Sequence, residues 1–219
     1  LSLAIFDLDN TLISCDSDHA WGEFLIEQGA VDADAYRQAN DKYLRDYQAG
    51  QLDILAYLAM ALEPLTRHSE EQLNAWHQQF MACKIEPHVL PQAEELLAWH
   101  RQRGDHLLII TATNRFITGP IARRLGVDDL IAIEPERDGK RYTGRVAGIP
   151  SYREGKVTRL EQWLEEQPAL TLDDAWFYSD SINDRFLLEK VPNPVAVDPD
   201  DALRDLAEEQ GWRVITLRD

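Results

Sequence analysis

Short apolar runs recur along the chain, and each breaks off at a polar residue that can do chemistry. Residues 3–6 are apolar and end at Asp7, 107–110 end at Thr111, and 176–178 end near Asp180. Runs this short, bounded by polar segments, predict strands buried on both faces of a parallel sheet. Residues 131–133, 195–197 and 214–217 predict further strands. Between them the apolar period lengthens to that of helices, over 91–103, 116–125, 154–166 and 200–210. Strand alternating with helix predicts an α/β domain with right-handed crossovers. Residues 16 to 87 break that alternation and read as helix after helix, over 17–28, 32–49, 52–61 and 69–83, punctuated by Gly29, Gly50 and Pro64. They predict a helical insertion between the first and second strands. The segment 136–148 carries Asp138-Gly139 among β-tolerant residues, which predicts a small hairpin.

Composition narrows the functional classes. The chain has 219 residues, 44% hydrophobic and 28% charged, which suits a globular protein with a sizeable core. Lys and Arg number 22 against 39 Asp and Glu, a net charge of −17. Such a surface repels phosphate backbones and anionic headgroups, so neither nucleic acid nor a membrane is expected as partner. Cys15 and Cys83 form no CxxC pair, which argues against a thiolate metal site and a disulfide framework. No apolar run reaches the about 18 residues of a membrane span. The apolar start meets Asp7 at once and is not a secretory signal, so the cytoplasm is the expected compartment. The chain lacks an initiator Met, which leaves room for residues ahead of Leu1.

Ligands of parallel α/β sheets bind outside the carboxyl ends of the strands, so the residues at those ends matter most. Asp7 and Asp9 leave the first strand one residue apart and can serve a divalent cation and share proton work. A helix cap or an Asx turn is the plainer use of such a pair. The Thr111 hydroxyl, with Ala112 after it, can donate to an anion or cap a helix. Asp180 and Asp184 follow the third run, with a first-turn helix acid as the alternative for Asp184. Gly155-Lys156 opens a helical pattern without forming a Walker A loop, since Pro150 holds its first glycine position and Val157 the hydroxyl position. A lone Lys there is ordinarily a solvated surface cation. Asp16 precedes a helix and is a natural N-cap. His19, His77 and His100 make no metal-binding pattern and read as surface or half-buried residues. Trp21, Trp76 and Trp99 lie in helical patterns and read mostly as packing, with Trp21 also a candidate for the cavity wall.

Taken together these motifs resemble the haloacid dehalogenase superfamily, whose signature begins DxDxT. Asp7-Leu8-Asp9-Asn10-Thr11 matches the first motif, Thr111 the second, Lys156 the third, and Asp180 with Asp184 the fourth. The match runs in order over nearly the whole chain. The resemblance implies a Rossmann-like parallel sheet with helices on both faces. It further implies an α/β catalytic core of residues 1–15 and 88–219, and a helical cap of residues 16–87. The chain is most similar to subfamily IB, the phosphoserine-phosphatase-like group, and Thr111-Ala112-Thr113-Asn114-Arg115-Phe116-Ile117-Thr118 resembles its histidinol-phosphatase-like branch. It departs from phosphoserine phosphatases in having Ala112 and Thr113 where two glycines are usual, and Ser179 where Gly is usual.

The resemblance also implies roles. Asp7 is the nucleophile that forms an aspartyl-phosphate, and Asp9 is the acid and base. Mg²⁺ is held by Asp7, the Asp9 carbonyl and Asp180. Thr111, Lys156 and the Ala112 N–H hold the phosphoryl group, and Asp184 orients Lys156. Asp16 aligns with a Glu that binds the substrate ammonium in phosphoserine phosphatases. The expected activity is hydrolysis of a small phosphate ester, with histidinol phosphate or phosphoserine as candidates. A phosphotransferase or mutase on the same core, a receiver-like phospho-Asp signalling domain and a non-catalytic binding module are the rival readings.

Overall fold

The computed structural model describes residues 2–218. A seven-stranded sheet organises the chain, in the order β4-β3-β2-β1-β5-β6-β7. The strands are β1 (Leu3–Phe6), β2 (His106–Asn114), β3 (Asp129–Asp138), β4 (Arg141–Ala147), β5 (Trp176–Ser179), β6 (Asn193–Val197) and β7 (Arg213–Ile215). All pairings are parallel except β3 with β4. β1 lies between β2 and β5, with Phe6 level with Ile109 on one side and Tyr178 on the other. The strand order reverses direction around β1, and that reversal opens a crevice at the carboxyl ends of β1, β2 and β5.

Period-two alternation divides the core between the two faces of the sheet. Ala4, Phe6, Leu107, Ile109 and Tyr178 point to one face, which α5 (Pro91–Arg103) and α6 (Arg115–Leu125) cover. Leu3, Ile5, Leu108, Ile110 and Phe177 point to the other, under α7 (Glu154–Glu165), α8 (Arg185–Leu188) and α9 (Asp201–Gln210). Each side chain of β1 is fully buried, as a central strand requires.

Between β1 and β2 the chain forms α1 (Ser17–Glu27), α2 (Ala33–Gln48), α3 (Ile54–Leu62) and α4 (Glu70–Phe80). Asp16, Asp32, Asp53 and Ser69 cap their N-termini, each accepting backbone N–H groups that have no partner within the helix. Trp21, Phe24 and Phe80 join the core beneath α6, so α1 and α4 share the packing of the sheet. Tyr57, Leu58 and Ala61 of α3 pack on Ile133 and Val146 of the β3–β4 hairpin. No described helix is long and apolar enough to cross a membrane.

Among the boundaries that differ from the sequence pattern, those of β2 and β3 matter most for the site. β2 continues to Asn114, past the apolar run that ends at Ile110, because its polar end still pairs with β3, with Asn114 level with Ile133. β3 extends to Asp138, and its last residues form the expected hairpin with β4 around Gly139, where φ is +58°.

Candidate active site

The carboxyl end of β1 delivers Asp7 into the crevice. Its N–H donates to the Tyr178 carbonyl at 2.8 Å, so the pairing of β1 with β5 continues one residue beyond the strand and fixes the acid. Lys156 reaches the same point from the first turn of α7. Gly155 makes that approach possible, since a Cβ there would lie 2.1 Å from the Pro150 carbonyl oxygen. Lys156 is 1% exposed, not a surface cation, and its Nζ donates to Asp7 Oδ1 and to Asp184 Oδ2, each at 2.7 Å. Ser179, at the end of β5, donates to that Asp184 oxygen at 2.7 Å. Asp184 is therefore a buried anchor for the lysine and not a solvated helix acid.

Asp9 is held from two sides. Its Oδ1 accepts the Ser17 N–H at 2.7 Å, and its Oδ2 accepts the Thr113 hydroxyl at 2.8 Å. Thr111 Oγ1 accepts the Thr113 N–H at 3.1 Å, and the Thr111 carbonyl accepts the Ser151 hydroxyl at 2.6 Å. Thr111 is not a helix cap; that position falls to Asn114, which caps α6. Asp180 Oδ1 accepts the Thr11 hydroxyl at 3.1 Å. Asp7, Asp9, Asp180, Thr111, Ala112 and Thr113 line one cavity, together with Asp16 and Asp18 of the α1 turn and tyrosines of α2 and α3.

The site is an excess of buried negative charge. Burial pushes the Asp7 carboxyl up to about 7 against the opposing pull of Lys156. Burial, joined by the charge of Asp16, raises Asp9 to about 6, with the Ser17 and Thr113 hydrogen bonds opposing. Burial and then the charges of Asp7 and Asp184 hold Asp180 well above the ordinary carboxylate range. For Lys156, burial alone would favour the neutral amine, but Asp184 and Asp7 outweigh it and the ammonium is favoured. Hard carboxylate oxygens gathered with a single cation among them are the donor set of a magnesium-type ion. Asp7 and Asp180, with the backbone at Asp9, fit such an ion.

Asp16 is the N-cap of α1, as its place before that helix predicts, its Oδ1 accepting the N–H groups of Asp18 and His19, and it also lines the cavity. Other expectations need correction. His77 and His100 are buried and not half-exposed; His77 bonds the Ile117 carbonyl, and His100 joins Asp105 to the Tyr178 hydroxyl. Trp21 is enclosed by Phe24, His77, Phe80 and Phe116 and is absent from the cavity wall. The sequence pattern did not single out Thr113 or the lock on Asp184 from Ser179, whereas Asp18 and His19, expected as helpers of Asp16, do line the cavity. The i, i+2 spacing of Thr111 and Thr113 at a strand end was the available signal for the first of these.

Comparison with known proteins identifies the family and the fold. Residues 4–189 match the family described as haloacid dehalogenase-like hydrolase. The chain is 48% identical over 221 residues to a histidinol-phosphatase of Neisseria meningitidis serogroup C (strain 8013), covering 99% of each. It is 30% identical to phosphoserine phosphatase SerB1 of Mycobacterium tuberculosis (strain ATCC 25618 / H37Rv), over 98% of this chain and 70% of that one. A crystal structure of a protein of unknown function from Bordetella pertussis Tohama I superposes with a TM-score of 0.91 at 43% identity, covering 99% and 98% of the two chains. A substrate-bound phosphoserine phosphatase shares the fold, with a TM-score of 0.72 at 18% identity over 99% and 93%.

Proposed function

The chain belongs to the haloacid dehalogenase-like hydrolase family, and from that premise we propose that it is a magnesium-dependent phosphomonoesterase acting on a small, amine-bearing phosphate ester. One observation carries the reading. Asp7 and Asp9 open into a single cavity, with Lys156 locked on the first and two hydrogen-bond donors locked on the second.

A carboxylate oxygen of Asp7 forms a bond to phosphorus as the bond from phosphorus to the ester oxygen breaks, giving an aspartyl-phosphate. Asp9 gives its proton to the departing alkoxide. Its raised pKa suits a group that must hold a proton at one moment and accept one at the next. A water then attacks phosphorus, Asp9 takes the water's proton, inorganic phosphate leaves, and Asp7 is regenerated. Lys156 fixes the attacking carboxylate and offers positive charge to the phosphoryl oxygens, with Thr111 and the Ala112 N–H beside it. A bound Mg²⁺ would supply the further positive charge that lets one anion attack another.

Residues 16–87 serve as a cap over the cavity, with Asp16 contributing to the wall that meets the far end of the ester. Histidinol phosphate and phosphoserine are the candidate substrates suggested by the relatives' names. The free thiols Cys15 and Cys83 suit a reducing cytoplasm.

The test is phosphate release, with and without Mg²⁺, from histidinol phosphate, phosphoserine, a sugar phosphate, a nucleoside monophosphate and 4-nitrophenyl phosphate. The Asp7→Asn protein is the blank. Mg²⁺-dependent release that vanishes in the blank is expected. Equal release from the blank would overturn the role of Asp7. Acid-labile phosphate on the chain without release would indicate an acceptor other than water.

A further inference from the structure

α1 carries His19 and Glu23 four residues apart, which puts both side chains on one face of the helix. α2 packs closely against that face because Gly22 lies between them. A Cβ at Gly22 would stand 2.5 Å from Asn40 Nδ2. Asn40 is itself buried, and it donates to the His19 carbonyl at 3.0 Å, which fixes the two helices in register. Asp41 follows it in α2 and meets the same face, with its Oδ1 2.9 Å from His19 Nε2. One imidazole nitrogen, one oxygen of Glu23 and one of Asp41 thus lie within 4.8 Å of one another.

Hydrogen bonding within the protein leaves this cluster incomplete. Glu23 Oε1 is closed off from solvent, yet nothing among the described residues donates to it. A buried carboxylate oxygen without a donor is costly, and such acceptors in folded proteins find a partner in a protein group, a water or an ion. Arg37 does not supply one, since its Nε stands 3.5 Å from the other oxygen, Oε2. His19 and Asp41 share one proton between Nε2 and Oδ1. A metal ion in place of that proton would gather both atoms and the orphaned Glu23 oxygen into one coordination shell.

We propose that His19, Glu23 and Asp41 form a second metal site, for an ion of the Zn²⁺ class, that clasps α1 to α2 beside the cavity. One imidazole nitrogen with two carboxylate oxygens suits such a borderline ion, held at about 2.0–2.2 Å with a fourth position left for water. The site at Asp7 and Asp180 offers oxygen alone and suits a harder ion. The half-buried side chains of the cluster have the freedom to close on an ion, while Gly22 and Asn40 hold the helices that carry them. His19 also lines the cavity, as do Asn40, Tyr43 and Tyr47 of α2, so the clasp joins two parts of its wall. The proposal stands apart from the phosphomonoesterase reading. The four-residue spacing of His19 and Glu23 is legible in the sequence, but the third donor comes from another helix.

Zn²⁺ itself is the probe. The whole chain, stripped with chelator, is titrated with Zn²⁺ by calorimetry in a large excess of Mg²⁺, which competes for the site at Asp7 and Asp180. One equivalent of Zn²⁺ should bind. Glu23→Gln and Asp41→Asn should each weaken its Kd by about tenfold to a hundredfold or more, since loss of a partner one step further from an ion already costs that much. Both variants should keep the rise in Tm that Mg²⁺ gives. A spectrum of the unaltered chain with ¹⁵N-labelled histidine decides the question without those variants, should they fail to fold. One of the six imidazoles should shift with the first equivalent of Zn²⁺, and it should be the one missing from His19→Gln. No binding of Zn²⁺ in excess Mg²⁺, equal affinity in both variants, or a shift at a histidine other than His19 would overturn the proposal.

Discussion

The Thr113 hydroxyl donates to Oδ2 of Asp9 at 2.8 Å, joining side chains 104 residues apart across the gap between β2 and β1. With the Ser17 N–H on the other oxygen, it fixes the orientation of the Asp9 carboxyl. Thr113→Val removes one of these donors and leaves the shape of the side chain nearly unchanged. The expected result is a fall in kcat of roughly tenfold, the size of one misoriented hydrogen bond, with KM little changed. Thr113→Ser should restore most of it. Steady-state kinetics on one ester decide the point, and a loss confined to KM would count against an orienting role.

Asp9→Asn removes the acid and keeps one acceptor oxygen for the Ser17 N–H, while the Thr113 hydroxyl must turn to accept from the new amide. Turnover of an alkyl phosphate should fall by about 10²–10⁴, the range of general acid–base catalysis. A nitrophenolate leaves without help, so with 4-nitrophenyl phosphate the second step should suffer most and aspartyl-phosphate should accumulate. Rapid quenching followed by intact-mass measurement would find the 1:1 phosphorylated chain; near wild-type turnover of the alkyl ester would remove the acid–base role.

Lys156 is the sole cation bonded to Asp7 and Asp184 among the described residues. Lys156→Met preserves the length of the side chain and leaves two buried carboxylates without their partner. Breaking such a pair costs about 3–5 kcal/mol. Denaturant unfolding should show a loss of this order together with loss of activity. An unchanged unfolding midpoint would mean that the carboxylates protonate at little cost.

Mg²⁺ should stabilise the folded chain, because the ion meets its donor set only there. At 100 times its Kd the gain is about 2.7 kcal/mol. Thermal unfolding with and without Mg²⁺ should show a higher Tm with the ion, and Asp180→Asn should shrink the shift. The same shift in both proteins would assign the ion elsewhere.

Asp18 gives a dependence on pH with a definite sign. Burial first, and then the charges of Asp16 and Asp9, raise its carboxyl to about 8 in the fold. The unfolded value is close to 3.9. Between these values the folded chain holds the extra proton, so Asp18's contribution to stability is greatest at low pH and is lost as pH rises toward 8. Asp18→Asn does not titrate. In the absence of metal its Tm should exceed that of the wild type at pH 8, and the gap should close toward pH 4. A gap independent of pH would show that the carboxyl is not raised.

The pattern along the chain was enough to set the sheet, the helices and the strand-end acids. A strand buried on both faces needs an unbroken apolar run, and Asp7 and Asp180 stand out because they end such runs. The insertion of helices after β1 was equally plain, since helical period and capping acids are local properties. Tertiary structure alone decided how these residues pair. Thr113 acts on Asp9, and Lys156 on Asp7 and Asp184, because β1 lies between β2 and β5 and α7 points its first turn at the reversal. Sequence could name Asp16 and Asp18 as neighbours on one turn, but that both also line the cavity reached by α2 and α3 is a property of the folded chain. His77 and His100 read as surface or half-buried residues, and their full burial likewise depends on partners supplied by α6, by β5 and by Asp105 at the head of β2. Period and spacing report a residue's own backbone. The protonation, direction and pairing of its side chain are set by groups that only the folded chain brings within reach.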